Sequence, residues 1–358
     1  MAETDSQITT QPLLGKTRDE LIELLEERGY RPFHGKQLYS WIYYRGVTDF
    51  DEMTDLSKSL RAELKRDFHL DLPTVVEQVS GDGPDTATKF LFELRDGERV
   101  EAVFIPTEDR NTVCLSSQVG CAFACTFCAT GLLGLKRNMT AAEIVGTFLA
   151  IRSRVEPRIS NVVFMGMGEP LANLDQVMQS YALLTDGDGI ALSKRKVTIS
   201  TVGIPGQVRK LAKYPNPPKL VFSISSPHDD VRSKVLPVAG RWNLAQMHEA
   251  LTEYAEQTKH RITIAFLVAN GLNDKIEDAR ALHKWIGNLP TKINLLRYNE
   301  AAGAYRRADE EALERIASEL VRLGRTVVLR KSRGRDVSAA CGQLAARSIL
   351  QDKVKDQG

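Results

Sequence analysis

Residues 112–128 read Thr112-Val-Cys-Leu-Ser-Ser-Gln-Val-Gly-Cys121-Ala-Phe-Ala-Cys125-Thr-Phe-Cys128. The first five residues predict a strand, and a loop with three cysteines follows directly. A structural zinc site closes with four protein ligands, and a 4Fe-4S cluster also takes four, one on each iron. Three thiolates in one loop therefore indicate a cluster that leaves one iron open for a small molecule. The alternative is a zinc site that a distant cysteine or histidine completes.

On the carboxyl side of this stretch, apolar strands alternate with amphipathic helices. The candidate strands are Thr112–Ser116, Asn161–Met165, Lys196–Thr201, Leu220–Ser225, Arg261–Val268 and Lys292–Arg297. The candidate helices include Ala141–Arg154, Leu244–Glu256, Ile276–Gly287 and Glu310–Leu323. Six βα units predict a parallel sheet, and they are too few for a complete eight-stranded barrel. We therefore expect an α/β fold, a partial (βα)6 barrel with its active site at the carboxyl ends of the strands.

Two other patterns precede this region. Thr17 and Glu20 have capping-box spacing ahead of leucines at helical intervals, and further helices are predicted over 35–45 and after Ser57. Alternating residues on both sides of Asp96-Gly97 predict a β-hairpin. The sequence thus predicts a flexible tail at 1–13, a small N-terminal helical domain at 14–73, a β-hairpin extension at 74–110, a partial barrel at 111–300 and a C-terminal segment at 301–358.

Composition excludes several classes of protein. The chain is 42% hydrophobic and 26% charged, which is typical of a globular protein. It has no apolar run of about 18 residues and starts with the polar MAETDSQITTQ, so we expect no membrane span and no signal peptide. Five cysteines with a metal-type cluster indicate a reducing compartment rather than a disulfide scaffold, and we expect a cytoplasmic protein.

The N-terminal helices carry little positive charge. The net charge is −4 over residues 1–73 and +6 over the remainder, which weakens a purely electrostatic case for nucleic-acid binding by the helical domain. One group of basic and aromatic side chains there could form a binding face or pack in the core: Lys36, Tyr39, Tyr43, Tyr44 and Arg45.

Several polar residues are predicted at the ends of the strands. Gly166-Met-Gly-Glu-Pro170 follows the second strand, where glycines allow close approach of a ligand and Glu169 offers a carboxylate to an ammonium group. Ser200, Ser223, Ser225 and Asn299 end later strands, as turn residues or as ligand contacts. Glu101 shares a strand face with apolar residues, as a general base of raised pKa or as an edge-strand residue in water.

Cys341 lies in a Gly-rich segment near the C-terminus. Five cations precede it: Arg325, Arg330, Lys331, Arg333 and Arg335. Nearby positive charge favours the thiolate and also suits phosphate groups. The segment therefore indicates a reactive thiol presented to a nucleic acid.

Ordered blocks along the chain, from Leu14 to about Ala346, resemble the RlmN family of radical S-adenosylmethionine (SAM) adenine-C2 methyltransferases. The Cfr-type C8 methyltransferases are close relatives. The blocks include Arg45–Ser57, Ser116–Cys121, Lys136–Asn138, Met165–Pro170, Leu192–Thr201 and Ala340–Leu344. The C-x3-C-x2-C pattern, with Phe127 before the last cysteine, is similar to that of the radical SAM superfamily, so the resemblance implies a radical SAM partial barrel.

The resemblance also implies a role for each candidate residue. Cys121, Cys125 and Cys128 would hold one 4Fe-4S cluster, and SAM would bind to Gly168, Glu169, Ser200, Ser223, Ile224, Ser225 and Asn299. Glu101 matches the proton acceptor, Cys341 the cysteine that is methylated, and Cys114 the cysteine that resolves the covalent adduct. Two motifs depart from the family pattern: Ser223-Ile-Ser225 stands for Ser-Leu-His or Ser-Leu-Asn, and Arg297-Tyr-Asn299-Glu300 for Pro-Trp-Asn-Pro.

The implied reaction is methylation of adenosine C2 in 23S rRNA and in tRNA. It uses two SAM molecules per turnover, a methylated Cys341 and a 5′-deoxyadenosyl radical. The implied partners are RNA and an electron donor such as flavodoxin or ferredoxin, with no membrane, and we expect a monomer. Two alternatives stay open: a Cfr-type C8 methyltransferase, and a non-catalytic RNA-binding protein with a structural zinc or iron–sulfur site.

Overall fold

A computed structural model describes residues 10–83, 86–300, 305–330, 333–335 and 337–344. The strands are β1 Gln11–Pro12, β2 Phe68–His69, β3 Thr74–Ser80, β4 Thr88–Glu93, β5 Arg99–Thr107, β6 Arg110–Leu115, β7 Gln118–Gly120, β8 Leu135–Asn138, β9 Asn161–Phe164, β10 Val197–Thr201, β11 Lys219–Ser223, β12 Ile262–Asn270, β13 Thr291–Arg297, β14 Arg306–Arg307 and β15 Val327–Arg330. The α-helices are α1 Arg18–Glu26, α2 Pro32–Tyr39, α3 Lys58–Asp67, α4 Ala129–Leu132, α5 Ala141–Arg152, α6 Leu174–Thr185, α7 Pro205–Ala212, α8 Asp229–Val235, α9 Leu244–Thr258, α10 Ile276–Ile286 and α11 Glu310–Arg322.

The described residues form two compact units. The first combines residues up to 74 with 140–156 and 175–193, and the second contains 75–139, 157–174 and the residues from 194 onward. The first unit therefore joins the N-terminal helices to α5 and most of α6, which follow the first two strands of the predicted barrel. The domain boundaries inferred from the sequence stay a prediction.

Within the first unit, helices begin where the sequence predicts. Thr17 and Glu20 form the capping box of α1, and Ser57 caps α3. Helix α2 continues into a π-helical turn, Ser40–Arg45, that places Tyr43 in the core. The Tyr43 hydroxyl accepts a hydrogen bond from the Gly15 N–H and donates one to the Lys16 carbonyl, both at 2.9 Å. Buried polar groups here are thus used to fix the backbone.

The segment before α1 differs from the flexible tail that the sequence predicts. Strand β1 pairs in parallel with β2, and Leu13 is fully buried. The apolar pair Leu13-Leu14 explains the difference, because its burial fixes the residues beside it. Residues 1–9 of the predicted tail lie outside the described residues.

The second unit is built on one large sheet in the order β15-β13-β12-β11-β10-β9-β6-β5-β4-β3. Each neighbouring pair from β15 to β6 is parallel. The six predicted βα strands are all present. A seventh parallel strand, β15, falls in the segment 301–358, for which the sequence predicts a helix and a strand; its bounds were not predicted because its four residues are too short and too exposed to show a clear apolar pattern.

The predicted hairpin extends this sheet. Strands β4 and β5 are antiparallel, and β5 pairs on its other side with β6. Gly97 takes the positive φ of 79° that the turn requires. Strand β5 is therefore interior, and the interpretation of Glu101 as an edge-strand residue in water is wrong. Among the described residues, every helix falls short of the length and apolarity that a lipid bilayer demands.

Candidate functional site

All of the predicted site residues lie in the second unit. The parallel strands point the same way, so the residues that follow them meet at one edge of the sheet. Ser116 marks this edge: its hydroxyl donates to the Glu101 carbonyl at 2.6 Å and accepts from the Met167 N–H at 2.8 Å. One side chain thereby ties the hairpin, the start of the cysteine loop and the loop after β9 together.

The cysteine loop is packed rather than open. Cys121 and Cys125 are buried, and Cys128 is half-buried. The two buried thiols form an apolar cluster with Phe123, Val235 and Leu236. The loop backbone is fixed by hydrogen bonds from Cys121 N–H to the Gly134 carbonyl at 2.8 Å and from Cys128 N–H to the Cys125 carbonyl at 3.0 Å.

The three thiols lie within electrostatic reach of one another. The pKa of Cys121 is raised to about 12, by burial first and then by negative charge on Cys128 and Glu169. Burial also raises the pKa of Cys125, and so do charges on Cys128 and Cys121. A thiol must lose its proton to bind a metal. Iron would supply the positive charge that stabilises these thiolates, so the donor set fits a cluster.

The cysteine loop is packed closely against α4. Gly131 lets α4 pass close to the loop, since a Cβ there would lie 2.9 Å from the Cys125 backbone.

The loop after β9 presents a buried carboxylate. Glu169 is 3% exposed, and each of its oxygens accepts a backbone N–H, from Leu171 at 2.9 Å and from Val202 at 3.0 Å. Burial raises the pKa of Glu169 to about 7, although these hydrogen bonds act in the opposite direction. A glycine is required at position 168, immediately before Glu169. The φ of Gly168 is 95°, and a Cβ there would lie 2.5 Å from the Gln118 Cβ.

Two serines, one in β10 and one at the end of β11, place their hydroxyl groups close together. The hydroxyls of Ser200 and Ser223 are 3.4 Å apart. Ile224 is fully buried, and its N–H already donates to the Ala265 carbonyl at 3.1 Å. Ser225 has a left-handed backbone, with φ at 61°, and is 5% exposed. Ser225, which stands where the family pattern has His or Asn, is therefore held in a strained backbone conformation.

The C-terminal cysteine is brought to the same edge. Asn299 Nδ2 donates to the Cys341 carbonyl at 3.3 Å, and the buried Asn299 Oδ1 has no partner. The N–H of Ala129, next to Cys128, donates to the Gly342 carbonyl at 2.8 Å. Cys341 is exposed as a residue, but the surrounding protein encloses its thiol group, and this burial raises the pKa of the thiol, with negative charge on Cys128 acting in the same direction.

Cys114 and Glu101 are buried on the neighbouring strands β6 and β5. Cys114 is buried on β6, and its pKa is raised by burial first and then by charge on Cys341, which places the two thiols within electrostatic reach. Glu101 is 1% exposed, with Oε1 at 3.2 Å from Lys89 Nζ and Oε2 without a partner. Burial raises the pKa of Glu101, and Lys89 opposes that shift. The carboxylate keeps a free oxygen that could accept a proton.

Comparison with known proteins agrees with this arrangement. Residues 11–70 match the family model of the ribosomal RNA large subunit methyltransferase N-terminal domain. Residues 115–283 match the family model of the radical SAM superfamily. The dual-specificity RNA methyltransferase RlmN of Bdellovibrio bacteriovorus is 40% identical over 331 residues, 92% of this chain and 82% of that protein. A probable one from Thermus thermophilus is 43% identical over 335 residues, 91% of this chain and 93% of the relative.

This chain belongs to the RlmN family. The crystal structure of a radical SAM methyltransferase from Sphaerobacter thermophilus is 36% identical, with a TM-score of 0.88, and the match covers 93% of this chain and 98% of that one. The family resemblance and the radical SAM partial barrel inferred from the sequence are thus confirmed. Membership in a radical SAM methyltransferase family makes the chain an enzyme that uses a 4Fe-4S cluster and SAM.

Some residues that shape the RlmN-family site were not predicted. The buried Gln118 donates to Asn138 Oδ1 at 2.7 Å and accepts from the Glu169 N–H at 2.8 Å. The buried Asn273 donates through Nδ2 to the Ser225 carbonyl at 2.6 Å. Gln118 and Asn138 both lie in sequence blocks that carry the family resemblance, so that signal was available. Asn273 follows β12 in an ordinary polar turn, which gives no such signal.

The described basic residues that precede Cys341 differ in their contacts and in their exposure. Arg325 donates to the carbonyls of His283 and Gly287, both at 2.9 Å, so it is committed to the fold. Arg333 and Arg335 are exposed. Lys331 lies outside the described residues. The predicted phosphate-binding group is therefore smaller than the sequence indicates.

Proposed function

We propose that this protein methylates C2 of adenosine in 23S rRNA and in tRNA, with Cys341 as the methyl carrier. The observation that supports this most directly is the placement of Cys341, an exposed residue, beside the cysteine loop and within electrostatic reach of the buried thiol of Cys114. The relatives named dual-specificity RNA methyltransferase support the substrate class. An ordinary SAM methyltransferase has no use for two such thiols.

The proposed ligand assignments carry the family pattern over to the residues at this edge of the sheet. Cys121, Cys125 and Cys128 hold the cluster. Gly168, Glu169, Ser200, Ser223–Ser225 and Asn299 position SAM, with the Glu169 carboxylate facing its ammonium group. When bound, the cluster and SAM would supply the radical chemistry that removes a hydrogen atom from the S-methyl group of Cys341.

The remaining steps belong to the side chains of the protein. The Cys341 sulfur first takes a methyl group from one SAM by displacement, and S-adenosylhomocysteine leaves. Once the methylene carbon has joined adenine C2, the adduct radical loses one electron, which the oxidised cluster would take back, and the free Oε2 of Glu101 accepts the C2 proton. The Cys114 thiol then gives up its proton and its sulfur attacks the Cys341 sulfur. The carbon–sulfur bond to Cys341 breaks, the methylene carbon takes up a proton to become the methyl group of the base, and a disulfide remains. A two-electron reductant restores both thiols.

The test is to trap the covalent adduct. The purified protein, reconstituted anaerobically with iron and sulfide, is incubated with SAM, a one-electron reductant and either an rRNA fragment or a tRNA. Cys114→Ala should accumulate a covalent protein–RNA species on a denaturing gel, because nothing releases the base. Cys341→Ala, alone or with Cys114→Ala, should give neither adduct nor methylated RNA.

Mass spectrometry of the digested nucleosides identifies the product of the unsubstituted enzyme. 2-Methyladenosine supports the proposal, and 8-methyladenosine would assign the protein to the Cfr-type reaction instead. If the iron–sulfur protein forms but Cys114→Ala gives no adduct and the enzyme gives no methylated nucleoside, the proposed function is wrong. The electron donor of the flavodoxin or ferredoxin kind and the monomeric state remain predictions.

A further inference from the structure

Arg232 on α8 is a fully buried cation. Its exposed fraction is 0%. Nη1 donates to the Trp242 carbonyl at 3.0 Å and Nη2 to the Val202 carbonyl at 2.9 Å, while Nε has no hydrogen-bond partner. Within the part of the chain that the structure describes, no carboxylate lies at salt-bridge distance from it. The reaction as proposed above does not use this residue.

The surroundings of Arg232 connect it to the cysteine loop. Val235, one turn further along α8, packs with Cys121 and Cys125, and its carbonyl accepts the Thr126 N–H at 3.0 Å. Val202, whose carbonyl Arg232 binds, packs against the same apolar cluster. The guanidinium is therefore fixed by two carbonyls, that of Trp242 before α9 and that of Val202 after β10, and both Val202 and α8 pack against the cysteine loop.

A buried cation without an anionic partner is costly to fold around. Burial lowers the pKa of Arg232, and the charges of Asp229 and Cys125 act against that effect. Asp229 is already used at the start of α9, where its Oδ1 accepts the Leu244 N–H at 2.9 Å. Cys125 is thus the other anion within electrostatic reach of Arg232. Its negative charge becomes permanent once the thiolate binds iron.

We propose that Arg232 is the buried counter-charge of the cluster and favours its reduced state. This inference rests on the proposed ligand set of Cys121, Cys125 and Cys128. With three thiolates bound, the cluster unit is already anionic, and the one electron delivered by a low-potential donor adds a further negative charge. A fixed guanidinium stabilises the more negative state more strongly, so it raises the midpoint potential. No proton transfer is involved, because Arg232 stays charged throughout.

The test measures the midpoint potential of the reconstituted full-length protein by titration with dithionite, monitored by electron paramagnetic resonance. Arg232→Met keeps much of the side-chain volume and removes the charge. It should lower the ratio of reduced to oxidised cluster at a fixed potential at least tenfold, which is about 59 mV for one electron. Arg232→Lys cannot keep both carbonyl contacts but retains a charge, so it should restore most of the potential.

Arg325→Met is the matched control. Arg325 also binds carbonyls, but it precedes β15 and so lies at the opposite end of the sheet from the cysteine loop. Its loss should lower thermal stability and leave the midpoint potential unchanged. A merely structural role of Arg232 would make Arg232→Lys and Arg232→Met equally unstable, with potentials like that of the unsubstituted protein.

The outcomes separate this inference from the proposed function. Iron and sulfide analysis of the unsubstituted protein comes first, and failure to assemble a 4Fe-4S cluster there would overturn the ligand set itself. Clusters of equal potential in the unsubstituted and Arg232→Met proteins would overturn the role of Arg232 alone. If Arg232→Met does not fold, Arg232→Gln gives the neutral comparison, because its amide can still donate to one carbonyl. A midpoint potential of Arg232→Gln equal to that of the unsubstituted protein would also overturn the role of Arg232.

Discussion

Strand β5 and the loop after β9 each contain a buried glutamate, and the two carboxylates differ in their hydrogen-bond and ion-pair partners. Both oxygens of Glu169 accept backbone N–H groups, so its position is set by the main chain. Glu101 has one oxygen paired with Lys89 and one without a partner. A carboxylate that the backbone holds in place, with one lone pair left on each oxygen, is suited to bind a ligand donor, and one with an oxygen that has no partner is suited to take a proton. The two regions therefore support the proposal that Glu169 binds a ligand and Glu101 takes part in the chemistry.

Glu101→Gln gives the sharpest test of the chemical role. The amide that replaces the carboxylate cannot accept the C2 proton as a base, so we expect RNA methylation to fall by about 10²–10⁴-fold. Binding of SAM should be unchanged, because Glu101 is not among the residues proposed to hold it. The measurement is single-turnover methylation of an rRNA fragment, with SAM affinity by calorimetry as the control. A variant that methylates as fast as the unsubstituted enzyme would contradict this role.

Glu169→Gln should change stability and its pH dependence. Burial raises the pKa of Glu169 from its ordinary 4.5 to about 7, so the folded protein keeps a proton that the unfolded chain releases between these values. The free energy of unfolding therefore falls as pH rises through this window, by about 3 kcal/mol in total. The variant should lose that pH dependence. Urea unfolding of the cluster-free protein at several pH values checks this, and an unchanged slope would show that Glu169 is not its source.

Lys89→Met should sharpen the difference between the two glutamates. Lys89 lowers the pKa of Glu101 against the larger effect of burial, so its loss should raise that pKa further. The acid limb of the methylation pH profile should then move to higher pH, with the pH dependence of stability attributed to Glu169 unaffected. A profile that does not move would mean that Glu101 is not the base.

Thr17→Ala is expected to have the smallest effect of these substitutions. Thr17 lies outside strand β5 and outside the loop after β9, the two regions that contain the buried glutamates. Removing the side-chain cap of α1 should cost about 1 kcal/mol of stability. Methylation rate and pH profile should stay the same under conditions where the protein is folded. Thermal unfolding measures the first effect, and a change in pH profile would show that stability alone can mimic the behaviour expected of the site variants.

Local signals in the sequence predict much of the fold. Capping boxes, alternating residues and the Asp96-Gly97 turn act over a few residues, and the elements they predict are present. Tyr39 and Tyr43 are buried while Tyr44 is exposed, so the aromatic group of the first unit is mostly core. The spacing of Tyr39 and Tyr43, one helical turn apart, carries that information.

The chemistry of the site depends on pairings between distant segments, which a single sequence does not specify. Glu101 is buried because β5 pairs with β6, and no local pattern distinguishes that arrangement from an exposed edge. Arg232 stands among charged residues in Asp229-Asp-Val-Arg-Ser-Lys234 and has the pattern of a surface helix. Only the packing of α8 on the cysteine loop makes it a buried cation.

The unequal exposure of Cys114 and Cys341 sets the direction of re-reduction after each proposed turnover. Cys341 is an exposed residue and Cys114 a buried one, so an external thiol reaches Cys341 more readily than Cys114. We therefore expect a mixed disulfide on Cys341, with Cys114 released as the leaving group. The enzyme would regain its methyl-accepting thiol last, so a slow reductant would leave the methyl carrier blocked while the resolving cysteine is already free.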